Sequence, residues 1–264
     1  MAKQDYDDFS ADYDRFVNWD ARLEQELPFL KDQLEILSKS SDHTVRVLDA
    51  ACGTGMHAIA LAKEGYRAGG ADISPQMIKQ AEANAQSAGV HPYFYSAGFG
   101  GLQPAFKDSR LLPFDAVLCL GNSLPHLLTP TAVLDALKDM ASCLTPGGLL
   151  VIQNRNFDAV MAEKQRWLGT QSHRDGDREW LFLRFYDFDQ DGLITFNIVR
   201  LTREGSEEWQ AHISVTRLQP ISQEMLVSLA GQAGFGEVTC YSRLAQEAFD
   251  PQKSPNLVLT ARKK

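Results

Sequence analysis

With 264 residues, 44% hydrophobic and 23% charged, the chain suits one α/β domain with an elaboration, or two small domains. A net charge of −8 argues against a nucleic-acid-binding surface. No apolar run reaches membrane-spanning length, and the polar, acidic start from Met1 to Ser10 is unlike a signal peptide. The four cysteines, Cys52, Cys119, Cys143 and Cys240, are far apart and lack C-x-x-C spacing; they read as reduced thiols of a cytoplasmic protein with no metal site.

Residues 1–18 are rich in Asp and Tyr and read as an acidic arm. From Trp19 to about Leu37, Leu23, Leu27, Leu30, Leu34 and Leu37 recur every three or four residues, as on an amphipathic helix. After a polar link, Val45, Val47 and Leu48 form a buried strand that runs into Asp49 and then Cys52-Gly-Thr-Gly55. Met56, Ile59, Ala60 and Leu61 follow at helical spacing. In this strand, glycine turn and helix, Gly53 and Gly55 remove side chains that would hold a ligand off the backbone. The helix directs free amides and its positive end at the same place.

Tyr66–Asp72 reads as a second strand, and Ser74-Pro75 opens a helix that ends near Gly89. Pro92–Ser96 is a third strand, residues 97–113 a glycine-containing loop, and Phe114–Leu120 a fourth strand. A helix over Pro130–Leu144, a turn at Thr145–Gly148 and a fifth strand at Leu149–Gln153 complete five alternations, which imply a doubly wound, mostly parallel sheet. Residues 154–220 break the rhythm. Trp180–Phe188 and Leu193–Leu201 flank a turn at Asp189–Gly192, and Glu208–Leu218 can pair with them, as an antiparallel elaboration over the strand ends. A helix over Ser222–Ala233 and strands at Glu237–Tyr241 and Asn256–Thr260 resume the core. The expected divisions are an N-terminal lid segment and helix (1–43), a cofactor-binding core (44–158), a substrate-pocket insertion (159–220) and a completing C-terminal unit (221–264).

Gly53-x-Gly55-x-x-Ala58 fits the loose dinucleotide fingerprint, and Asp72, nineteen residues after Gly53, ends the next strand where a carboxylate can hold ribose hydroxyls. Asp49 decides between cofactors, because an acid there repels a pyrophosphate and attracts the ammonium of a methionine tail. The reading is S-adenosylmethionine, with NAD and oxidoreductase chemistry as a remote alternative. Ile73 and Met77 can flank an adenine or belong to the core. Leu120-Gly-Asn-Ser-Leu-Pro-His126 places Asn122, Ser123 and His126 directly after an apolar strand. Arg155, between Asn154 and Asn156, can clamp a carboxylate with its guanidinium fork or pair with Asp158.

Asp49-Ala-Ala-Cys-Gly-Thr-Gly55 resembles the first motif of class I S-adenosylmethionine-dependent methyltransferases, whose sheet has seven strands. Phe114-Asp-Ala-Val-Leu-Cys-Leu-Gly-Asn-Ser123 with His126, and Arg155-Asn-Phe-Asp158, resemble the glycine N-methyltransferase and glycine/sarcosine N-methyltransferase group. Trp19-Asp-Ala-Arg22 and Gly55-Met-His57 resemble its bacterial branch. The resemblance is good over residues 13–158 and weak over 159–210. It implies that Asp49, Ala51 and Gly53 line the methionine part, with Trp19 and Arg22 closing on the cofactor and Arg22 meeting its carboxylate. It further implies that Asp72 holds the ribose, that Leu120 lends backbone near the sulfonium, and that Asn122 and Arg155 bind the acceptor's carboxylate and serve catalysis, with His126 beside them. Gly98 stands where the group carries a polar residue for the adenine, which leaves backbone and Phe99 to replace it.

The expected reaction is methyl transfer to a small molecule, the nitrogen of a small amino acid or amine such as glycine or sarcosine. The alternatives are O- or N-methylation of a larger metabolite, or a non-catalytic cofactor binder. The expected partners are a small-molecule acceptor, with no nucleic acid and no membrane.

Overall fold

The computed structural model describes residues 14, 15, 17–39 and 42–264. Expectations for residues 1–13, including most of the acidic arm, lie outside the described residues.

Five strands build the parallel core: β1 (Arg46–Asp49), β2 (Arg67–Asp72), β3 (Tyr93–Ser96), β4 (Phe114–Cys119) and β5 (Leu144–Arg155). Three C-terminal strands extend it: β10 (Phe235–Arg243), β11 (Ala245–Ala248) and β12 (Asn256–Lys263). The sheet order is β11-β10-β12-β5-β4-β1-β2-β3, parallel from β3 to β5 and antiparallel beyond. Seven of these strands are the expected set. The four-residue β11 is an additional edge strand, too short and too polar to show in the hydrophobic pattern.

Alternation along the central strands divides the core. Leu48, Val117, Cys119, Leu150 and Ile152 face one layer, with α4 (Leu102–Phe106), α5 (Pro130–Cys143) and α7 (Gln223–Gln232) packed on it. Val47, Ala116, Leu118, Leu149 and Val151 face the other, covered by α1 (Trp19–Ser38), α2 (Met56–Lys63) and α3 (Pro75–Ala88). Both faces are covered, so the central strands are largely apolar, with Asp115 the buried charge of β4, paired with Arg46.

Three local readings are corrected. The buried stripe of α1 is Trp19, Glu26, Phe29, Leu30 and Leu34, so Leu23 and Leu27 are only half-buried and a carboxylate sits on the apolar side. The stretch 97–113 contains α4, a helix of five residues and too short to show a period. Thr145–Gly148 is part of β5: Phe114 pairs with Leu144 and Ala116 with Leu149, and Gly147 at φ 73° absorbs the irregularity between them.

The elaboration begins with α6 (Phe157–Glu163) and continues as a separate antiparallel sheet, β6 (Gln171–Asp175), β7 (Arg178–Phe188), β8 (Ile194–Glu204) and β9 (Gln210–Leu218), in that order. The polar β6 and the short α6 are additions to the expected three strands. Trp180, Phe182 and Tyr186 alternate inward on β7, and Tyr186, Ile194 and Leu218 pack on Phe157 and Val160 of α6.

Candidate functional site

A cavity of about 680 Å³ lies at the carboxyl ends of the parallel strands, between the core and the inner face of the second sheet. One end is built by the glycine turn. Gly53, at φ 52°, donates its N–H to Asp72 Oδ2 at 2.9 Å, and Ser74 N–H donates to Asp72 Oδ1 at 2.9 Å. Two backbone amides thus aim the Asp72 carboxylate at the cavity. Gly55 has a different job from the one expected: a Cβ there would lie 2.7 Å from Phe94 Cζ, so it permits packing against β3 and does not line the cavity. Ile73, Met77, Gly98 and Phe99 form an apolar slot beside Asp72. A Cβ on Gly98 would sit 3.2 Å from Ile73 Cδ1 and narrow that slot.

Arg22 and Glu26, four residues apart on α1, form the adjoining wall. Arg22 Nε donates to Glu26 Oε2 at 3.0 Å and Arg22 Nη2 to Gln153 Oε1 at 3.3 Å. Gln153 Nε2 donates to Glu26 Oε1 at 3.0 Å, Gly121 N–H donates to Gln153 Oε1 at 3.2 Å, and His57 Nε2 lies 2.7 Å from Glu26 Oε2. Burial raises the Glu26 carboxyl, but the hydrogen bond from His57 and the nearby Arg22 outweigh it and hold it at about 2. The network stays charged and fixes the Arg22 guanidinium at the rim. Trp19 lies behind it, buried, with the Arg22 guanidinium 5.1 Å from its ring and its indole N–H on Asp14. Asp49 is also behind the wall, 2% exposed, with Oδ1 lacking a partner; burial pushes its carboxyl up to about 6. Leu120 is buried off the cavity wall, and Gly121 occupies the wall in its place.

The other end is built by the turn after β4 and by Arg155. Gly121 and Asn122 both take positive φ, 74° and 71°. This brings Asn122 Oδ1 within 2.9 Å of the Arg155 backbone N–H, which it accepts. The Arg155 side chain enters the cavity beside the Tyr186 hydroxyl, and its Nε is buried without a partner. Asp158 is engaged elsewhere, accepting Gln223 N–H at 2.9 Å, so it leaves Arg155 to the cavity. His126 also lines the cavity, and burial lowers it to about 4, so it is neutral near pH 7.

The roof comes from the inner face of the second sheet: Gln171, Arg184, Tyr186, Phe196 and Ile198. Burial and the neighbouring Arg155 charge both lower the Arg184 guanidinium. Burial raises the Tyr186 hydroxyl, which keeps its proton.

Sequence reasoning missed Glu26, Gln153, Arg184 and Tyr186. Two of these had a visible signal: Glu26 interrupts the apolar stripe of α1, and Arg184 is the one charge in the inward series Trp180, Phe182, Arg184, Tyr186, Phe188. Among the described residues no helix is long and apolar enough to cross a membrane, and no cluster of three His, Cys, Asp or Glu could hold a metal.

Residues 47–148 match the family described as methyltransferase domain. A glycine/sarcosine N-methyltransferase of Parasynechococcus marenigrum is 35% identical over 167 residues, covering 60% of this chain and 54% of the relative. One of Aphanothece halophytica is 28% identical over 97% of this chain and 88% of its own length. The chain thus aligns with about half the length of the first relative. A solved structure of an S-adenosylmethionine-dependent methyltransferase from Clostridium acetobutylicum superposes with a TM-score of 0.76 at 16% identity, covering 98% of each chain. The site fits a cofactor with a ribose and a cationic tail: Asp72, aimed into the cavity by two amides, suits the ribose, and the Asp49 acid stands just behind the adjoining wall.

Proposed function

We propose that this chain, whose residues 47–148 match a methyltransferase domain, takes S-adenosylmethionine and methylates the nitrogen of a small acceptor carrying a carboxylate, with glycine and sarcosine the first to try. The observation that carries this reading is one continuous cavity joining Gly53 and Asp72 to Arg155, whose buried Nε lacks a partner.

When bound, the cofactor supplies a methyl group already activated by its sulfonium. Asp72 would hold the ribose hydroxyls, and Ile73, Met77 and Phe99 would enclose the adenine. Ala51 and Gly53 would line the methionine portion with the Asp49 acid behind them, and Arg22, pinned by Glu26 and Gln153 and backed by Trp19, would meet its carboxylate. At the other end the Arg155 fork holds the acceptor carboxylate, and Asn122 sets the Arg155 backbone. Fixing that carboxylate would orient the acceptor's amine toward the cofactor end of the cavity, under the roof of the second sheet. Neutral His126 adds no positive charge near a cationic cofactor. The acceptor's ammonium form would pass its proton to solvent before it is enclosed, so no strong base is required of the lining residues.

Transfer of labelled methyl from the cofactor to glycine and sarcosine, set against carboxylate-free amines and phenols, tests the reading. Preference for the amino acids supports it; preference for phenols sinks it. A second reading, methylation of a larger amine or hydroxyl compound, is favoured by the apolar Phe196 and Ile198 in the roof, which offer a small amino acid nothing polar.

A further inference from the structure

The inner face of the β6–β9 sheet roofs the cavity, and its outer face is apolar and open. Cross-strand pairing makes three rows on that outer face. Leu181, Leu201 and Ala211 form the first, Leu183, Val199 and Ile213 the second, and Phe185, Asn197 and Val215 the third. Ile213 and Val215 are 61% and 49% exposed, and Trp167, stacked on Phe185 at 5.0 Å, is 59% exposed. Scattered apolar residues on a surface are ordinary, but a continuous aliphatic sheet face is an interaction surface.

The edges of the face are suited to drying. Glu179 is paired with Arg174 at 3.1 Å and Arg203 at 2.9 Å, and Asp187 with Arg166 at 2.8 Å. Arg217 is paired with Asp189 at 3.2 Å and Asp191 at 2.6 Å. Asn197, the polar residue of the third row, donates to Asp187 Oδ2 at 2.9 Å. Covering the centre therefore strands none of these groups.

We propose that this outer face packs against the same face of a second copy of the chain, as a two-fold dimer of stacked sheets. Three arguments choose a second copy. First, both ends of the face carry both signs of charge, so a two-fold partner meets complementary rims. Second, with β7 and β8 of eleven residues and β9 of nine, about 3.4 Å per residue and about 4.8 Å between strands give roughly 500 Å² in projection. Side-chain relief raises that toward the ~800 Å² per partner of a stable complex. Third, the described part of the N-terminal segment goes to the opposite face: Arg15 lies 4.9 Å over the inward Trp180. Dimerisation would brace the cavity roof from outside.

Sedimentation of the full chain tests this. At low-micromolar concentration the wild type should run as a dimer. Ile213→Lys and Val215→Glu, both at exposed positions, should keep the circular dichroism of the fold and weaken association on the order of a hundredfold. If a charged variant fails to fold, Ile213→Thr, which keeps the β-branch, should still weaken association measurably. A wild type that stays monomeric overturns the proposal, as does a dimer that the folded variants leave intact. So does a chain that dimerises only after residues 1–13 are removed, because that segment would then be the natural occupant.

Discussion

The two ends of the cavity are polar in different ways. At the proposed cofactor end the side chains hold one another, except Asp49, whose Oδ1 is buried without a partner. Arg22, Glu26, Gln153 and His57 form a closed network, and both Asp72 oxygens accept backbone amides. At the proposed acceptor end Arg155 Nε, both side-chain polar atoms of Asn154 and Gln171 Oε1 are buried without a partner. A partnerless buried polar group costs about 1–3 kcal/mol. The first end is therefore shaped before any ligand arrives, and the second is completed by its ligand. Such a site rejects analogues that lack the missing group far more strongly than it rejects small changes in apolar bulk.

Three perturbations would break or sharpen this contrast. The largest effect is expected from Asp72→Ala. Losing a charged acceptor for two ribose hydroxyls should cost about 3–6 kcal/mol of cofactor binding, a hundredfold or more, read by calorimetry. The freed Gly53 and Ser74 amides should also lower the fold's stability by about 1–2 kcal/mol in a denaturant titration. Unchanged affinity in a folded variant removes Asp72 from the site.

Glu26→Gln comes next. The native carboxyl stands at about 2 against an ordinary 4.5, because His57, Arg22 and Gln153 overcome its burial. A depressed folded value stabilises fully above 4.5 and fades as pH falls toward 2. The variant should lose about 3 kcal/mol at pH 7, and the gap to wild type should narrow by pH 3. A gap independent of pH would mean that packing, not charge, explains the loss.

The smallest effect concerns Asp49, raised to about 6 by burial. A raised carboxyl value means that its contribution to apo stability, present below the ordinary 3.8, is lost as pH climbs through 6. A cationic ligand reverses the preference, so cofactor affinity should rise roughly tenfold between pH 5 and pH 7. Asp49→Asn should flatten that profile. An equally steep profile in the variant assigns the titration to another group.

The parallel core was legible because its central strands are largely apolar and are punctuated by glycine or Ser-Pro. That Asp49, Gly53 and Asp72 fall on consecutive strand ends was legible in the sequence. The roof was less so. Its strands were visible by alternation, yet β6 is polar, and nothing in the local pattern says that the Arg184 face would close over Arg155, a pairing of parts far apart in the chain. Glu26 and Gln153 lie 127 positions apart and meet only when α1 docks beside β5. Such contacts are products of tertiary packing, and a residue that breaks an apolar stripe is the one trace they leave in sequence.

The central claim is that Arg155 receives the acceptor and not the cofactor. Arg155→Lys keeps the charge and loses the fork. Cofactor affinity by calorimetry and turnover of glycine should be measured on the same preparation. The account predicts turnover reduced about a hundredfold with cofactor affinity changed by less than about twofold. Lost cofactor binding, or turnover equal to wild type, would contradict it.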